Sequence, residues 1–569
     1  AERCFDSGIF QEIRISSMDY DDTANGRLIE RKVAARIFTG SINGHEACFF
    51  MKDSRINSGA TGNYEGLKYA AASYLAMLKG WPFYAWNDGA GANIREGVTA
   101  LNRGAQGFMM NTLQTENNPV KLKQFILNNP DPVLKSVFNA VDRQFNHSID
   151  ADAAAIRPLS LIAVGIGSSA GLDVYGSSQA VLQIMLDSSQ SYRVLTGANV
   201  VKSIIGEDVS NYDIGGAGTI CRLTGIADIL AASKEEVIDS VRAIHNFFCT
   251  DHSLACIRRK KEITRDDSPH NNLLNISVDR IKENIDDGEF IELKKEYIDS
   301  GSLICGLARL GGNRALIMAA RSHGGIRRIE PLIKARELLK TSQRTSIAEI
   351  LIFGKEFITC NSRDDRFIAA GNEFMKALHI KKGPGIHIVT SEEGLEQYYI
   401  NSSADAVIFV ENDPHKITEN NIIRNSSTFT VASVAEAFDL AQKILSLFSS
   451  STDQNFLPPE NRPEIPSDPS RPFDMISSVI EPLLDMKSFV EFYRDMNNVH
   501  TGPMLVTGIG RLNGKAVGII ADQPLRKGGA ADASGTEKFR IFTRLLNRRN
   551  IPLIMLSNSS GFMPGSQQE

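Results

Sequence analysis

The chain repeats itself, and an internal repeat constrains a fold strongly, because each copy must build the same unit and bury its apolar face against a neighbour. Three segments open on an aromatic residue with an acidic one two places on: Phe10-Gln11-Glu12, Phe290-Ile291-Glu292 and Phe489-Val490-Glu491. Each runs into a strand pattern that turns on a glycine, Gly44, Gly312 or Gly514. A helix carrying a lysine follows, at 24, 22 and 24 residues from the glycine to Lys68, Lys334 and Lys538. The outer copies stay in register, with 14 residues from Lys68 to Pro82 and from Lys538 to Pro552. Each proline starts a strand, "PFYAW" or "PLIML", that ends in a glycine loop, "NDGAGANIREG" or "SNSSGFMPG". The pattern predicts a hairpin, a helix and a further strand, built three times.

A half-repeat joins the first two copies: "PLSLIAVGIGSSAGL" from Pro158 parallels "PGIHIVTSEEGL" from Pro384, and the helical stretches from Ala231 and Val431 match. Strands and helices alternate, so the fold class is α/β. The 569 residues suffice for several cores. Copy one occupies 1–250, with a helical excursion over 111–155 between its halves. Residues 251–275, with Arg258, Arg259, Lys260 and Lys261, read as a solvated connector. Copy two spans 276–450 and has "FGKEFITCNSRDD" where copy one has its glycine loop, which makes it a scaffold. A proline-rich linker over 451–472 leads into copy three, 470–569. Copy three stops just past its glycine loop, where copy one runs on, and is expected to be half present, completed by a longer chain or by another polypeptide.

A net charge of -5 gives no reason to expect nucleic acid or a membrane surface as partner. Seven scattered cysteines make no disulfide framework and fit a reducing compartment, with the cytosol as the expected location. No run approaches the roughly 18 apolar residues of a membrane span, and the first residues lack the regions of a signal peptide.

The loop after "PFYAW" bares backbone N–H groups at Gly89, Ala90, Gly91, Ala92 and Gly97, able to meet a phosphate or an oxyanion, with Arg95 as a phosphate or carboxylate partner. The competing reading is a tight connection only. The run from Gly165 to Leu172 carries three readings: a nucleophile elbow with Ser169 attacking, a dinucleotide loop with irregular spacing, or an oxyanion hole built from backbone amides around Gly167, Gly171 and Leu172. The repeat context favours the third. Gly197, Gly206, Gly215, Gly216 and Gly225 suit either a ligand-lining wall or tight turns. Cys249, His252 and Cys256 lie close in sequence, but a structural zinc takes four ligands and no second pair accompanies them, so no metal is expected.

In this order, "DGAGANIREGV", the glycine-rich run from Gly165 to Gly218, "GRLNGKAVGIIADQP" and "KFRIFTRLLNRRNIPLIMLSNSSGFMPGSQQE" resemble the carboxyltransferase of biotin-dependent acyl-CoA carboxylases. The resemblance implies a crotonase-like spiral of ββα units, with an N-type domain at 1–250, a degenerate repeat at 276–450 and the first half of a C-type domain at 470–569. It implies transfer of a carboxyl group from carboxybiotin to the α-carbon of an acyl-CoA, with backbone amides holding the enolate and no catalytic side chain. The carboxybiotin side falls at Gly561 and Phe562. Biotin would arrive on a separate carrier domain or subunit, with a biotin carboxylase as further partner and a homo-oligomer as the assembly. The chain departs from the pattern where Leu172 follows Gly171 in place of a second glycine, at Ile220 in place of a histidine, and at Asn558 and Ser560. The alternatives are an acyl-CoA decarboxylase α subunit of the same family, a serine hydrolase using Ser169, and a non-catalytic scaffold.

Overall fold

The computed structural model describes residues 2–22, 28–115, 119–146, 160–249, 276–298, 302–321, 326–354, 357–358, 364–411, 428–449, 457–459, 468, 471–493 and 502–563. The chain divides into two compact units, residues 1–250 with 291–300, and 251–290 with 301–569. The connector at 251–275 lies outside the described residues, as does most of the linker at 451–472.

The first unit is built on an eight-stranded sheet. Its strands are β1 (Phe10–Ile13), β2 (Ala35–Ile42), β3 (His45–Lys52), β4 (Phe83–Gly89), β5 (Leu161–Ala170), β6 (Leu182–Leu186), β7 (Tyr192–Val194) and β8 (Ile229–Ala231). They lie in the order β1-β2-β3-β4-β5-β6-β8, and β7 pairs with β5 off this path. The pairs β1·β2 and β2·β3 are antiparallel; from β3 onward every pair is parallel. Parallel strands are covered on both faces, which is why "LIAV" in β5 is a continuous apolar run. Helices α1 (Asn63–Lys79), α2 (Gly97–Thr115) and α3 (Leu172–Ser178) lie in the crossovers, and α4 (Lys234–Cys249) follows the last strand. Leu67, Ala71, Tyr74 and Leu75 of α1 pack on Phe50, Phe83, Ala85 and Leu161 in the main core. The excursion expected between the halves of copy one is helical where described, at Pro119–Leu127 and Pro132–Phe145.

The second unit holds two sheets. One runs through neighbours β9 (Leu303–Leu310), β10 (Asn313–Ala320), β11 (Ala348–Phe353), β12 (Gly385–Val389), β13 (Ala406–Val410) and β14 (Phe429–Val431). The other is four-stranded: β15 (Val490–Phe492), β16 (Leu505–Leu512), β17 (Lys515–Asp522) and β18 (Leu553–Leu556). Helices α5 (Ile329–Thr345), α6 (Val434–Phe448) and α7 (Ala533–Arg549) cover them. The two sheets share one core, in which Ile304, Ile350 and Phe438 are continuous with Ile509, Phe542 and Leu545.

Three devices recur in every copy and explain why the spacing repeats. Each hairpin turns through two residues of positive φ: Asn43 (52°) and Gly44 (81°), Gly311 (59°) and Gly312 (76°), Asn513 (50°) and Gly514 (76°). That turn geometry matches the twist of the flanking strands and favours Gly and Asn. An aspartate covers each turn and accepts both turn amides: Asp6 from Asn43 (3.0 Å) and Gly44 (2.9 Å), Asp286 from Gly311 (2.9 Å) and Gly312 (2.7 Å), Asp485 from Asn513 (3.0 Å) and Gly514 (2.7 Å). The repeated lysine ties helix to hairpin, as Lys68, Lys334 and Lys538 donate to the carbonyls of Ala35, Leu303 and Leu505 at 2.9, 2.9 and 2.6 Å. Each of those carbonyls belongs to the first residue of the first hairpin strand. The half-repeat is as close: Glu236 N–H donates to Ser233 Oγ and Ala232 N–H to the Glu236 carboxylate at the start of α4, and Glu436, Ser433 and Ala432 do the same at the start of α6.

Candidate active site

In copy one the ends of β4 and β5 carry the two loops singled out in the sequence. After Gly89 the loop is held against residues 58–61: Ala90 N–H donates to Ser58 O (2.9 Å), Thr61 N–H to Gly91 O (2.6 Å) and Asn93 N–H to Thr61 O (2.9 Å). The amides of Gly91 and Ala92 have no acceptor among the described residues. Gly91 sits at φ 93°, and a Cβ there would stand 3.1 Å from Ala170 O, so the two loops touch at this point. Asn93 and Glu96 brace the loop by capping Arg95 N–H (3.2 Å) and Asn63 N–H (2.7 Å). Arg95 is exposed and makes no ion pair among the described residues. Gly97, at φ 65°, has open space around it.

At the end of β5, Gly171 adopts φ 55°, ψ -118°, a conformation closed to residues with a Cβ. Its N–H, expected from sequence to face a ligand, donates instead to Val194 O at 3.0 Å. The amides at this turn that keep no acceptor are those of Leu172 and Asp173, which open α3. Gly167 makes room for a carboxylate: a Cβ would stand 2.1 Å from Asp88 Oδ1, which accepts Ser168 N–H at 3.2 Å. Ser169 is fully buried, and its hydroxyl has no hydrogen-bond partner. A nucleophile elbow needs an exposed hydroxyl beside a base, so the nucleophile reading of Ser169 fails on geometry.

The remaining glycines stand one layer back. A Cβ at Gly215 would meet Arg193 O of β7 at 2.0 Å and one at Gly216 would meet Tyr212 of the preceding helical turn, so both serve close packing. Gly197 caps the helix Ala198–Ile205, whose first amide bonds Asn211 Oδ1 at 2.7 Å. Arg193 is buried over Gly165 with Gln183 as its bonded partner, and burial lowers its pKa to about 10. In the second unit Gly561 and Phe562 repeat the copy-one loop: Ala531 N–H donates to Gly561 O (2.9 Å) and Met563 N–H to Ala531 O (2.8 Å). In copy two the same bridge, Ile326 to Ile358, is kept, but Phe357 and Ile358 are buried and Phe357 N–H is taken by Gln397 Oε1 at 2.9 Å. Bulky side chains fill what the other copies leave open. Cys249 lies 3.8 Å from His245 Nδ1, while His252 and Cys256 are outside the described residues. Among the described residues no cluster of His, Cys, Asp or Glu could hold a metal.

Sequence reasoning missed a charged cluster beneath the two loops. Lys52 Nζ donates to Asp173 Oδ2 and Thr61 Oγ1, both at 2.5 Å, and Thr61 Oγ1 donates to Asp173 Oδ1 at 3.0 Å. The three line a small pocket with Phe50, Tyr69 and Leu172. Burial pushes the Tyr69 phenol well above its ordinary range, so it stays protonated there. The one sequence signal was a lysine at the end of the apolar run "CFFMK"; nothing marked its partner, over a hundred residues away.

A model of the carboxyl transferase domain matches residues 1–120, 144–353 and 424–569. The chain belongs to this family. Over 295 residues it is 25% identical to the biotin-dependent acetyl-/propionyl-coenzyme A carboxylase beta5 subunit of Mycobacterium tuberculosis, covering 49% of this chain and 46% of that protein. It is 26% identical over 289 residues to the methylmalonyl-CoA decarboxylase subunit alpha of Veillonella parvula, covering 49% and 48%. The chain thus spans about half the length of the curated relatives it matches. Among solved structures, the transcarboxylase 12S hexamer with methylmalonyl-coenzyme A bound superimposes with a TM-score of 0.53 at 18% identity, over 78% of each chain. That likeness shows the fold, and the α/β carboxyltransferase architecture expected from the sequence is the one present. No helix among the described residues is long and apolar enough to cross a membrane.

Proposed function

We propose that this carboxyl transferase domain acts in a biotin-dependent acyl-CoA carboxylase, moving a carboxyl group from carboxybiotin to the α-carbon of an acyl-CoA. The observation that carries the reading is the meeting of two loops with unpartnered amides, Gly91 and Ala92 on one side and Leu172 on the other, at the ends of β4 and β5. Such amides stabilise the oxygen of a thioester as it becomes an enolate, and a well-placed donor lowers the barrier by about 3 kcal/mol. Gly91 and Ala92 are held by the bridge to Thr61 and Leu172 by the turn at Gly171, so the donors need little reorganisation as charge develops. Exposed Arg95 suits the phosphates of CoA, while Gly167 makes room for the Asp88 carboxylate and Gly215 and Gly216 let the surrounding chain pack closely.

The biotin-facing residues fit a flat ring: Gly561 at φ 116° has open space where a Cβ would stand, beside an exposed Phe562. These two would hold the group. Carboxybiotin supplies the carboxyl group and, once it has given up CO2, a base for the α-proton. It would arrive from a carrier domain and be charged by a biotin carboxylase, as separate segments or subunits, in a homo-oligomeric cytoplasmic assembly. The chain is then an N-type domain at 1–250, a non-catalytic repeat at 276–450 and C-type sequence at 470–569. The relationship to a methylmalonyl-CoA decarboxylase subunit favours one second reading, the same chemistry run as decarboxylation, which a requirement for a membrane partner would reveal.

Calorimetric titration with acyl-CoAs from acetyl to long-chain tests the reading. Saturable binding that disappears in Gly171→Asp is expected and would define the acyl group. Binding of no acyl-CoA by the folded wild-type protein would overturn it.

A further inference from the structure

The buried group Lys52, Thr61 and Asp173 has no place in the chemistry above, which uses backbone amides alone. Its side chains are almost wholly enclosed, Lys52 2% and Asp173 8% exposed, and Thr61 is buried beside them. Each belongs to a segment that controls one loop. Thr61 carries the Gly91 carbonyl and the Asn93 amide on its own backbone, at 2.6 and 2.9 Å, and so fixes the stretch with the free Gly91 and Ala92 amides. Asp173 is the residue after Leu172, in the first turn of α3. Lys52 closes β3 and donates to both side chains. Gly89 is part of the arrangement, since a Cβ there would stand 3.1 Å from Asp173 Oδ2 and 2.3 Å from Gly59 O.

The other copies are an internal control. The same hairpin, helix and strand are built in all three, so a device needed only for the fold would recur, as the turn aspartates and the helix lysines do. This one does not. The positions matching Lys52 and Thr61 are Ala320 and Ile326 in copy two, Asp522 and Ala531 in copy three. Glu396, at the place of Asp173 in the half-repeat, is exposed. Asp522 bonds Ser557 Oγ (3.0 Å) and Asn558 N–H (2.9 Å) of its own loop instead. The cluster is confined to the copy whose two loops keep their amides free.

We infer that Lys52, Thr61 and Asp173 form a clamp that sets the separation between the Gly91–Ala92 amides and the Leu172 amide, positioning residues for an oxyanion hole built from two loops; this rests on the carboxyltransferase reading. Taking two ions out of water is costly, so burial of this pair adds little net stability, and what it provides is a fixed geometry between three segments. It crosses from the β3 end to both loops and holds them from below, beyond Gly89 and Ser169, the last residues at which β4 and β5 pair. Displacement of an oxyanion donor by about 1 Å costs on the order of a hundredfold in rate.

The test compares Lys52→Met, Asp173→Asn and the double variant Lys52→Gln/Asp173→Asn in the full carboxylase with its carrier. The double variant leaves no unpaired buried charge and serves if a single one fails to fold. Lys294→Met, which breaks an equally buried pair with Asp228 (2.8 Å) away from both loops, is the control. The clamp predicts kcat reduced about 10- to 100-fold with KM for acyl-CoA changed less than about threefold. It also predicts that the red shift of the bound thioester carbonyl stretch falls back toward the free value, while Lys294→Met lowers Tm and leaves both readouts unchanged. Folded clamp variants with wild-type kcat and carbonyl shift would overturn the inference, as would an equal kcat loss in Lys294→Met. A wild-type complex that binds no acyl-CoA would instead overturn the functional reading beneath it.

Discussion

Replacing Leu172 by proline isolates one hydrogen-bond donor with little else disturbed. Leu172 is the first residue of α3, where a proline ring has the right φ and the lost N–H has no partner within the helix. A proline restricts the residue before it through the contact of its Cδ with that residue's Cβ and N–H. Gly171 has no Cβ, and its φ 55°, ψ -118° is the mirror image of the extended conformation that precedes prolines. The backbone therefore accepts the change. What is deleted is the amide proposed to meet the thioester oxygen, and an oxyanion donor is worth about 2.7–4 kcal/mol, or 10²- to 10³-fold in kcat. Because the donor acts as charge develops, the loss belongs in kcat with KM for acyl-CoA nearly constant. Leu172 also lines the pocket beneath the loops, so Leu172→Ala, which trims the side chain and keeps the N–H, is the reference and is expected within about threefold of wild type. The assay is steady-state carboxyl transfer from a carboxylated carrier, with circular dichroism to establish folding. A folded Leu172→Pro enzyme as fast as Leu172→Ala would refute the assignment of this amide.

Two further predictions concern pH. The Asp6 carboxyl is lowered to about 2, first by the Gly44 amide that donates to it, then by Asn43, Ser41 and Arg242. A depressed folded value gives stability that is complete above the ordinary carboxylate range, near 3.9, and is lost as pH falls through about 2. The urea midpoint of wild type should exceed that of Asp6→Asn by a constant amount above pH 5 and converge with it on acidification; a gap constant down to pH 2.5 would contradict this. Burial pushes the Glu349 carboxyl up, opposed by Ser342, Lys381 and Arg549 and assisted by Asp405. Stability tied to the protonated form is present at acid pH and is lost as pH rises through the raised value. Glu349→Gln should remove that fall in Tm, which lies between the ordinary carboxylate range near pH 4.5 and about 7, whereas parallel curves for the two proteins would exclude Glu349 as its source.

The repeat was legible in sequence because its determinants are local or periodic. A positive-φ turn calls for Gly or Asn, as at Asn43-Gly44 and Asn513-Gly514. A buried lysine in the following helix lies 24, 22 and 24 residues away in the three copies, since hairpin and helix have nearly constant lengths. The small residues of the two loops were legible for the same reason: Gly91 and Gly171 hold backbone conformations that a side chain would strain.

Which amides those loops leave free was not legible. Gly171 and Leu172 are adjacent, yet one N–H is consumed by Val194 and the other is not, a choice made by how β7 lies against β5. Ser169 read as a candidate nucleophile until its strand buried it. Lys52, Thr61 and Asp173 are unremarkable where they stand in the chain and become a buried ion cluster only when β3, the bridge to Ala92 and α3 converge. Local conformational preference lets a sequence announce its turns, helices and repeats by itself. Donor availability and the pairing of distant charges depend on distances between segments, and those exist only once the sheet has assembled.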